Sequence, residues 1–135
     1  MLLLDTNIIS AMRRPDRNPR VAAWAASVAP EDFFLSVVSV MELQRGVDRL
    51  RGRDESQAAI LDRWLDAVLT DYDARILPLT IPIARRWGRL AHTIGNSDLD
   101  LAIAATALEH GLTVATRNVA HFAPAGVATL DPFAA

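Results

Sequence analysis

Apolar and polar positions along the chain fall into two alternating kinds of segment. Leu2-Leu3-Leu4, Phe33-Phe34-Leu35, Arg75-Ile76-Leu77 and Thr113-Val114-Ala115 are short runs suited to buried strands, and Val127 to Leu130 is a weaker fifth. Between them lie longer segments with helical spacing. Ile8 to Met12 predicts a short helix, broken by Arg13-Arg14-Pro15-Asp16. Pro19 suits the first position of a helix running to about Ala29. Ser39-Val40-Met41-Glu42 has the form of a capping box, which predicts a helix from there to about Arg51. Gly52 and Asp54 mark a break and a new N-cap. The helix after them carries Ile60, Leu61, Trp64, Leu65, Val68 and Leu69 as its apolar face. A further helix spans about Ile81 to Ile94 and stops at Gly95. Ser97 or Asp98 then caps a helix through Glu109, ended by Gly111. Its stretch Leu101-Ala102-Ile103-Ala104-Ala105 is apolar on nearly every side, which predicts deep burial.

Strands separated by helices imply an α/β fold: a mostly parallel sheet of four to five strands with helices on both faces. Such sheets carry their functional groups beyond the carboxyl ends of the strands. Asp5 lies just past the first strand, and Arg117 and Asn118 lie just past the fourth. Asp98 and Asp100 fall in the first turn of the helix that leads into that fourth strand. Distant segments are thus expected to meet on one edge of the sheet.

Composition narrows the chemistry. At 135 residues, 51% of them hydrophobic, the chain is expected to form one domain over residues 1–135. It has no cysteine, which excludes disulfides, thiol catalysis and cysteine-ligated metals. It has no lysine either, so a phosphate-binding P-loop is excluded. The net charge of -2 argues against a simple basic coat protein, but a nuclease can gather carboxylates around a cation and hold phosphate on a separate basic rim. No apolar run approaches a membrane span, and MLLLDTN does not resemble a signal peptide. A soluble, cytoplasmic protein is expected.

The candidate chemistry is carboxylate chemistry. Hydrolysis of a phosphodiester needs an activated water and a shielded phosphate, and hard cations held by oxygen ligands supply both. Asp5, Glu42 and Asp100 are the candidate ligands, with Asn118 as a neutral fourth donor and Asp98 in reserve. Each also has a purely structural reading. Asp5 can cap the short helix after it. Glu42 can be the third helical residue of its capping box. Asp98 can be an N-cap, Asp100 a charge favoured by the helix dipole, and Asn118 a turn residue.

Three blocks decide between these readings. LLLDTN at the N-terminus, SVVSVMEL with Glu42, and DLAIAATALEHGLTVATRN with Asp100 resemble, in order and spacing, the PIN-domain family and its VapC/FitB group of toxins. The similarity extends over nearly the whole chain. The resemblance implies a Rossmann-like three-layer α/β/α fold and a Mg²⁺- or Mn²⁺-dependent endoribonuclease that leaves a 5′-phosphate and a 3′-hydroxyl. It also implies a homodimer, and inhibition by a cognate VapB-type antitoxin that inserts a basic side chain among the carboxylates. Asp5, Glu42 and Asp100 match the family's acidic metal positions. Asn118 stands where many relatives have a fourth aspartate; it brings no charge and favours a one-metal resting site. Thr6 and Thr116 flank the site and are expected to hold ligands, waters or substrate through their hydroxyls.

Substrate must also be gripped. Arg13, Arg14 and Arg117 lie near the acids and are candidates for RNA or antitoxin contact; His121 is a candidate to orient a water or touch RNA, with a surface histidine of no such role as the favoured alternative. Arg45 and Arg49 can equally be a solvated helix face paired with Asp48, Asp62 or Asp66, and for Arg85, Arg86 and Arg89 the solvated face is the favoured reading. Trp24, Trp64 and Trp87 sit on apolar faces and are expected to pack in the core or a dimer. The substrate stays open among transfer, ribosomal and messenger RNA. One rival is a catalytically weak PIN-fold module that only binds RNA or protein. Another is an aspartyl-phosphate enzyme, but this chain lacks the lysine such sites use and has Asn7 where a phosphatase needs a second aspartate.

Overall fold

Period-two alternation along the strands builds the two cores. The computed structural model describes residues 1–134. Its strands are β1 (Leu2–Leu4), β2 (Phe33–Ser36), β3 (Ile76–Leu77), β4 (Thr113–Ala115) and β5 (Thr129–Leu130). They form one five-stranded sheet in the order β3-β2-β1-β4-β5, parallel throughout. Leu3 pairs with Phe34 on one side and Val114 on the other. These three point to one face, where they meet Ala102, Ile103, Ala107 and Phe122. Leu4, Phe33, Leu35 and Ala115 point to the opposite face, against Ile8, Val21, Leu43, Val47, Leu65 and Val68.

The helices cover both faces. On the second face lie α1 (Thr6–Met12), α2 (Pro19–Ala26), α3 (Val37–Leu50) and α4 (Glu55–Tyr72). On the first lie α5 (Ile81–Ile94), α6 (Leu99–His110) and α7 (Val119–Phe122). The result is the expected three-layer α/β/α sandwich. Every residue of α6 from Leu101 to Ala107 is buried, because the helix is wedged between the sheet and α5. Ile103 is fully buried there, so Ile103→Ala is expected to cost about 2–5 kcal/mol, read as a lower denaturation midpoint in urea. Gly95 and Gly111, both left-handed, end α5 and α6 as the sequence indicates.

Several boundaries differ from the sequence reading, each for a local reason. The capping box at Ser39–Glu42 does not form. Ser36, the last residue of β2, caps α3 instead: its Oγ accepts from Val38 N at 3.0 Å, and the helix starts at Val37. The first helix starts at Thr6 rather than Ile8 because Asp5 caps it. The second ends at Ala26, not Ala29, since Ala29 precedes Pro30 and takes the extended conformation that a following proline favours. Arg75 lies in a 3-10 turn rather than in β3, where its guanidinium donates to the carbonyls of Pro30, Phe33 and Asp71. Ile60 is exposed; the buried stripe of α4 is Ala58, Leu65 and Val68. The last strand is confined to Thr129 and Leu130. Among the described residues no helix is long and apolar enough to cross a membrane.

Candidate active site

The site grows from the point where the chain reverses its direction across the sheet. β1 and β4 are neighbours, but the connections from β1 proceed toward β2 and β3, whereas β4 continues to β5. The two strands therefore open a crevice at their carboxyl ends, where ligands bind in folds of this kind. Asp5 follows β1 and Thr116 follows β4. The Asp5 backbone N–H donates to Ala115 O at 2.9 Å and ties the two strand ends together.

Asp5 is buried, only 4% exposed, and both its oxygens are engaged. One accepts from Thr6 N at 2.8 Å, which caps α1. The other accepts from Thr116 Oγ1 at 2.8 Å. The capping role does not exhaust the group, because an ionised carboxylate offers about four acceptor positions. Burial pushes the Asp5 carboxyl above its ordinary range; the Thr116 and Thr6 hydrogen bonds oppose this, and the charges of Asp100 and Glu42 add to it.

Thr6 links Asp5 to the second acid. Its Oγ1 donates to Glu42 Oε1 at 2.7 Å and lies 3.1 Å from Ser39 Oγ. Because α3 begins at Val37, Glu42 is in its second turn, so the helix-start reading of Glu42 falls away. Ser39 is fully buried one turn earlier and braces Thr6. Asp100 stands in the first turn of α6 with its side chain partly buried, and its Oδ2 is 3.1 Å from His121 Nδ1.

The remaining candidates are peripheral. Asp98 is at the N-cap position of α6 but makes no side-chain cap bond; its own N–H is taken by Asn96 Oδ1 at 3.0 Å. Asn118 has an exposed side chain at the start of α7, and its N–H donates to Thr116 Oγ1 at 2.9 Å. Arg117 is exposed, with its guanidinium 4.5 Å from the Phe133 ring centroid. Arg13 lies 5.8 Å from the Trp64 centroid, and burial, then the charges of Arg14 and Arg17, push its pKa down. Among the described residues no ion pair engages Arg13, Arg14 or Arg117. Elsewhere Arg51 takes both Asp48 and Asp62, and Arg86 pairs with Glu109, so Arg86 is a structural charge. Trp24 packs on Phe33 in one core and Trp87 flanks the other.

Two supporting residues escape a reading of the sequence. Ser39 resembles a cap, and nothing local marks it as buried beside Thr6. Asn7 lies in the N-terminal block, but its bond from Arg117 N to its Oδ1, at 3.3 Å, exists only once β1 and β4 are adjacent.

The donor set suits a hard divalent cation. It is all oxygen, and a buried carboxylate disfavoured by two others is the situation that a cation relieves. Among the described residues the acids do not close into a three-residue cage.

Comparison with known proteins follows the same lines. The PIN domain family matches residues 2–125. Toxin FitB of Neisseria gonorrhoeae is 40% identical over 138 aligned positions, covering 98% of this chain and 99% of the relative. VapC ribonuclease Y4jK of Sinorhizobium fredii is 32% identical, covering 98% of each. The crystal structure of FitAcB from Neisseria gonorrhoeae superposes with a TM-score of 0.88 at 40% identity, covering 98% of this chain and 99% of that one.

Proposed function

The chain belongs to the PIN-domain family, and on that footing we propose that it is the endoribonuclease toxin of a type II toxin–antitoxin pair, acting as one domain in the cytoplasm. The named relatives, a toxin and a ribonuclease, each similar over nearly their full length, support this reading. The observation that carries it is Asp5: buried at the switch point, bonded to Thr116 across the crevice, and in the field of Glu42 and Asp100.

Asp5, Glu42 and Asp100 would hold Mg²⁺, with Mn²⁺ able to replace it and Asn118 assisting as a neutral donor. When bound, such a cation lowers the pKa of a water and offsets charge on the phosphate. The chain's own groups do the rest. Thr116 and the Thr6 N–H fix the Asp5 carboxylate, and the Thr6 hydroxyl fixes Glu42. His121 holds Asp100 on the far side. Arg13 and Arg117, each lying over an aromatic ring and without a carboxylate partner among the described residues, would present cationic edges to the phosphates beside the cut. RNA is the substrate class, whether transfer, ribosomal or messenger. A VapB-type antitoxin would silence a homodimer of the chain by placing a cationic side chain among the acids. The match at 40% identity to the crystal structure of FitAcB from Neisseria gonorrhoeae supports a partnered toxin.

Chelation provides the direct test. Cleavage of labelled RNA by the purified chain is expected to stop in EDTA and to return with excess Mg²⁺ or Mn²⁺. Undiminished cutting in chelator would contradict the proposal.

A further inference from the structure

Beside the acids lies a pocket of about 220 Å³ whose lining divides by chemistry. Ile94, Leu101 and Pro124 make an apolar side. Asn96, Asp98 and His121 make a polar one, and Asp100 belongs to both the pocket and the acid cluster. On the ribonuclease reading, whatever fills this pocket would sit next to the phosphate to be cut.

The lining excludes a phosphate, because Asp98 and Asp100 are both carboxylates. It admits a flat, neutral group that presents hydrogen-bond donors. In a single-stranded RNA that group is an unpaired base, which stacks on apolar or imidazole surfaces and is read along its Watson–Crick edge. Asp98 is free for such reading, since it is exposed and makes no cap bond to α6. The Asn96 carbonyl oxygen is occupied by Asp98 N, which leaves the amide NH₂ as a donor.

We propose that this pocket takes the nucleobase adjoining the cleaved phosphate and selects guanine, an inference that rests on the ribonuclease reading above. Guanine places the N1–H and N2 amino donors side by side, and a carboxylate accepts both. Its O6 then faces the Asn96 amide. Adenine, cytosine and uracil each offer only one donor group on that edge, so each leaves an Asp98 oxygen unpaired. His121, pinned to Asp100 at 3.1 Å, forms the wall against which the base lies.

The experiment is end-sequencing of fragments from a randomised single-stranded RNA pool cut by the purified chain in Mg²⁺. Guanine should be enriched at one fixed position within a nucleotide or two of the cut. Asp98→Asn should reduce that enrichment about tenfold, because it replaces one acceptor by a donor. Inosine at the same position, which lacks the N2 amino group, should slow cutting by the wild type but not by Asp98→Asn. Cutting without a guanine preference, or a preference that survives Asp98→Asn, overturns the pocket assignment and leaves the ribonuclease reading standing. No cutting of any RNA by the wild type overturns both.

Discussion

Asp5→Asn is expected to reduce RNA cleavage by at least about a hundredfold while raising the thermal midpoint of the protein. The activity loss follows from removing the buried carboxylate that lies between the Thr6–Glu42 pair and Thr116. The gain in stability follows from the direction of the Asp5 pKa. Burial, helped by Asp100 and Glu42, raises it above the ordinary value, so ionising Asp5 in the folded chain costs more than in the unfolded one. The sign is therefore the reverse of a salt-bridged aspartate. In acid, below the ordinary carboxylate range, Asp5 is protonated in both states and costs nothing. The penalty grows as the pH rises and is complete above the raised folded-state pKa. Although the Thr116 hydroxyl loses its acceptor to the amide NH₂, which offsets part of the gain, asparagine keeps a carbonyl oxygen for Thr6 N and carries no charge. Its stability advantage should be largest at neutral pH and shrink on acidification, as read by thermal melts across that range. Added Mg²⁺ should stabilise the wild type and leave the variant unchanged. A variant that melts lower at neutral pH, or still cuts RNA normally, would contradict this account.

Thr116→Val should do the opposite to stability. Thr116 is fully buried, and its hydroxyl serves two partners: it donates to Asp5 Oδ2 at 2.8 Å and accepts from Asn118 N at 2.9 Å. Valine fills the same space and serves neither. The Asp5 carboxyl loses a bond that lowers its pKa, and the Asn118 N–H loses its partner. The buried Asp5 oxygen left without its donor costs about 1–3 kcal/mol and the part-buried Asn118 N–H adds less, so the denaturation midpoint should fall. Cleavage should fall about 10- to 100-fold, with the larger part of the loss recovered at high Mg²⁺ as the displaced ligand is drawn back. Thr116→Ser keeps the hydroxyl and should restore most of both. Equal damage from serine and valine would mean that the methyl group, not the hydroxyl, matters.

The sequence indicates the strands and α6 well because their signal is local. A run such as Leu2-Leu3-Leu4 has little to do but enter a sheet, and a helix apolar on every side has nowhere to go but the interior. The parallel order is legible from alternation, and with it the prospect that Asp5 and Asn118 share an edge. The start of α3 is not legible. Ser39 looks like a cap, yet the cap falls to Ser36 because β2 runs straight into the helix with no loop between. That three-residue shift moves Glu42 from a helix end to a second turn facing Thr6. Of the site, the acids stand out by residue type and order. Their braces do not, since the Thr6–Ser39 contact and the bond from Arg117 N to Asn7 are made between residues more than thirty positions apart. Asp98 fits a cap by position, yet its side chain makes no cap bond, and only the structure distinguishes the two.

If Asp5, Glu42 and Asp100 close on one divalent cation, crystals of the chain soaked in Mn²⁺ should reveal it by anomalous scattering. A single strong peak is expected within coordinating distance of Asp5 and at least one of Glu42 and Asp100, absent in Asp5→Asn crystals. Manganese bound elsewhere on the molecule, with these three side chains left as they are and no peak between them, would contradict it.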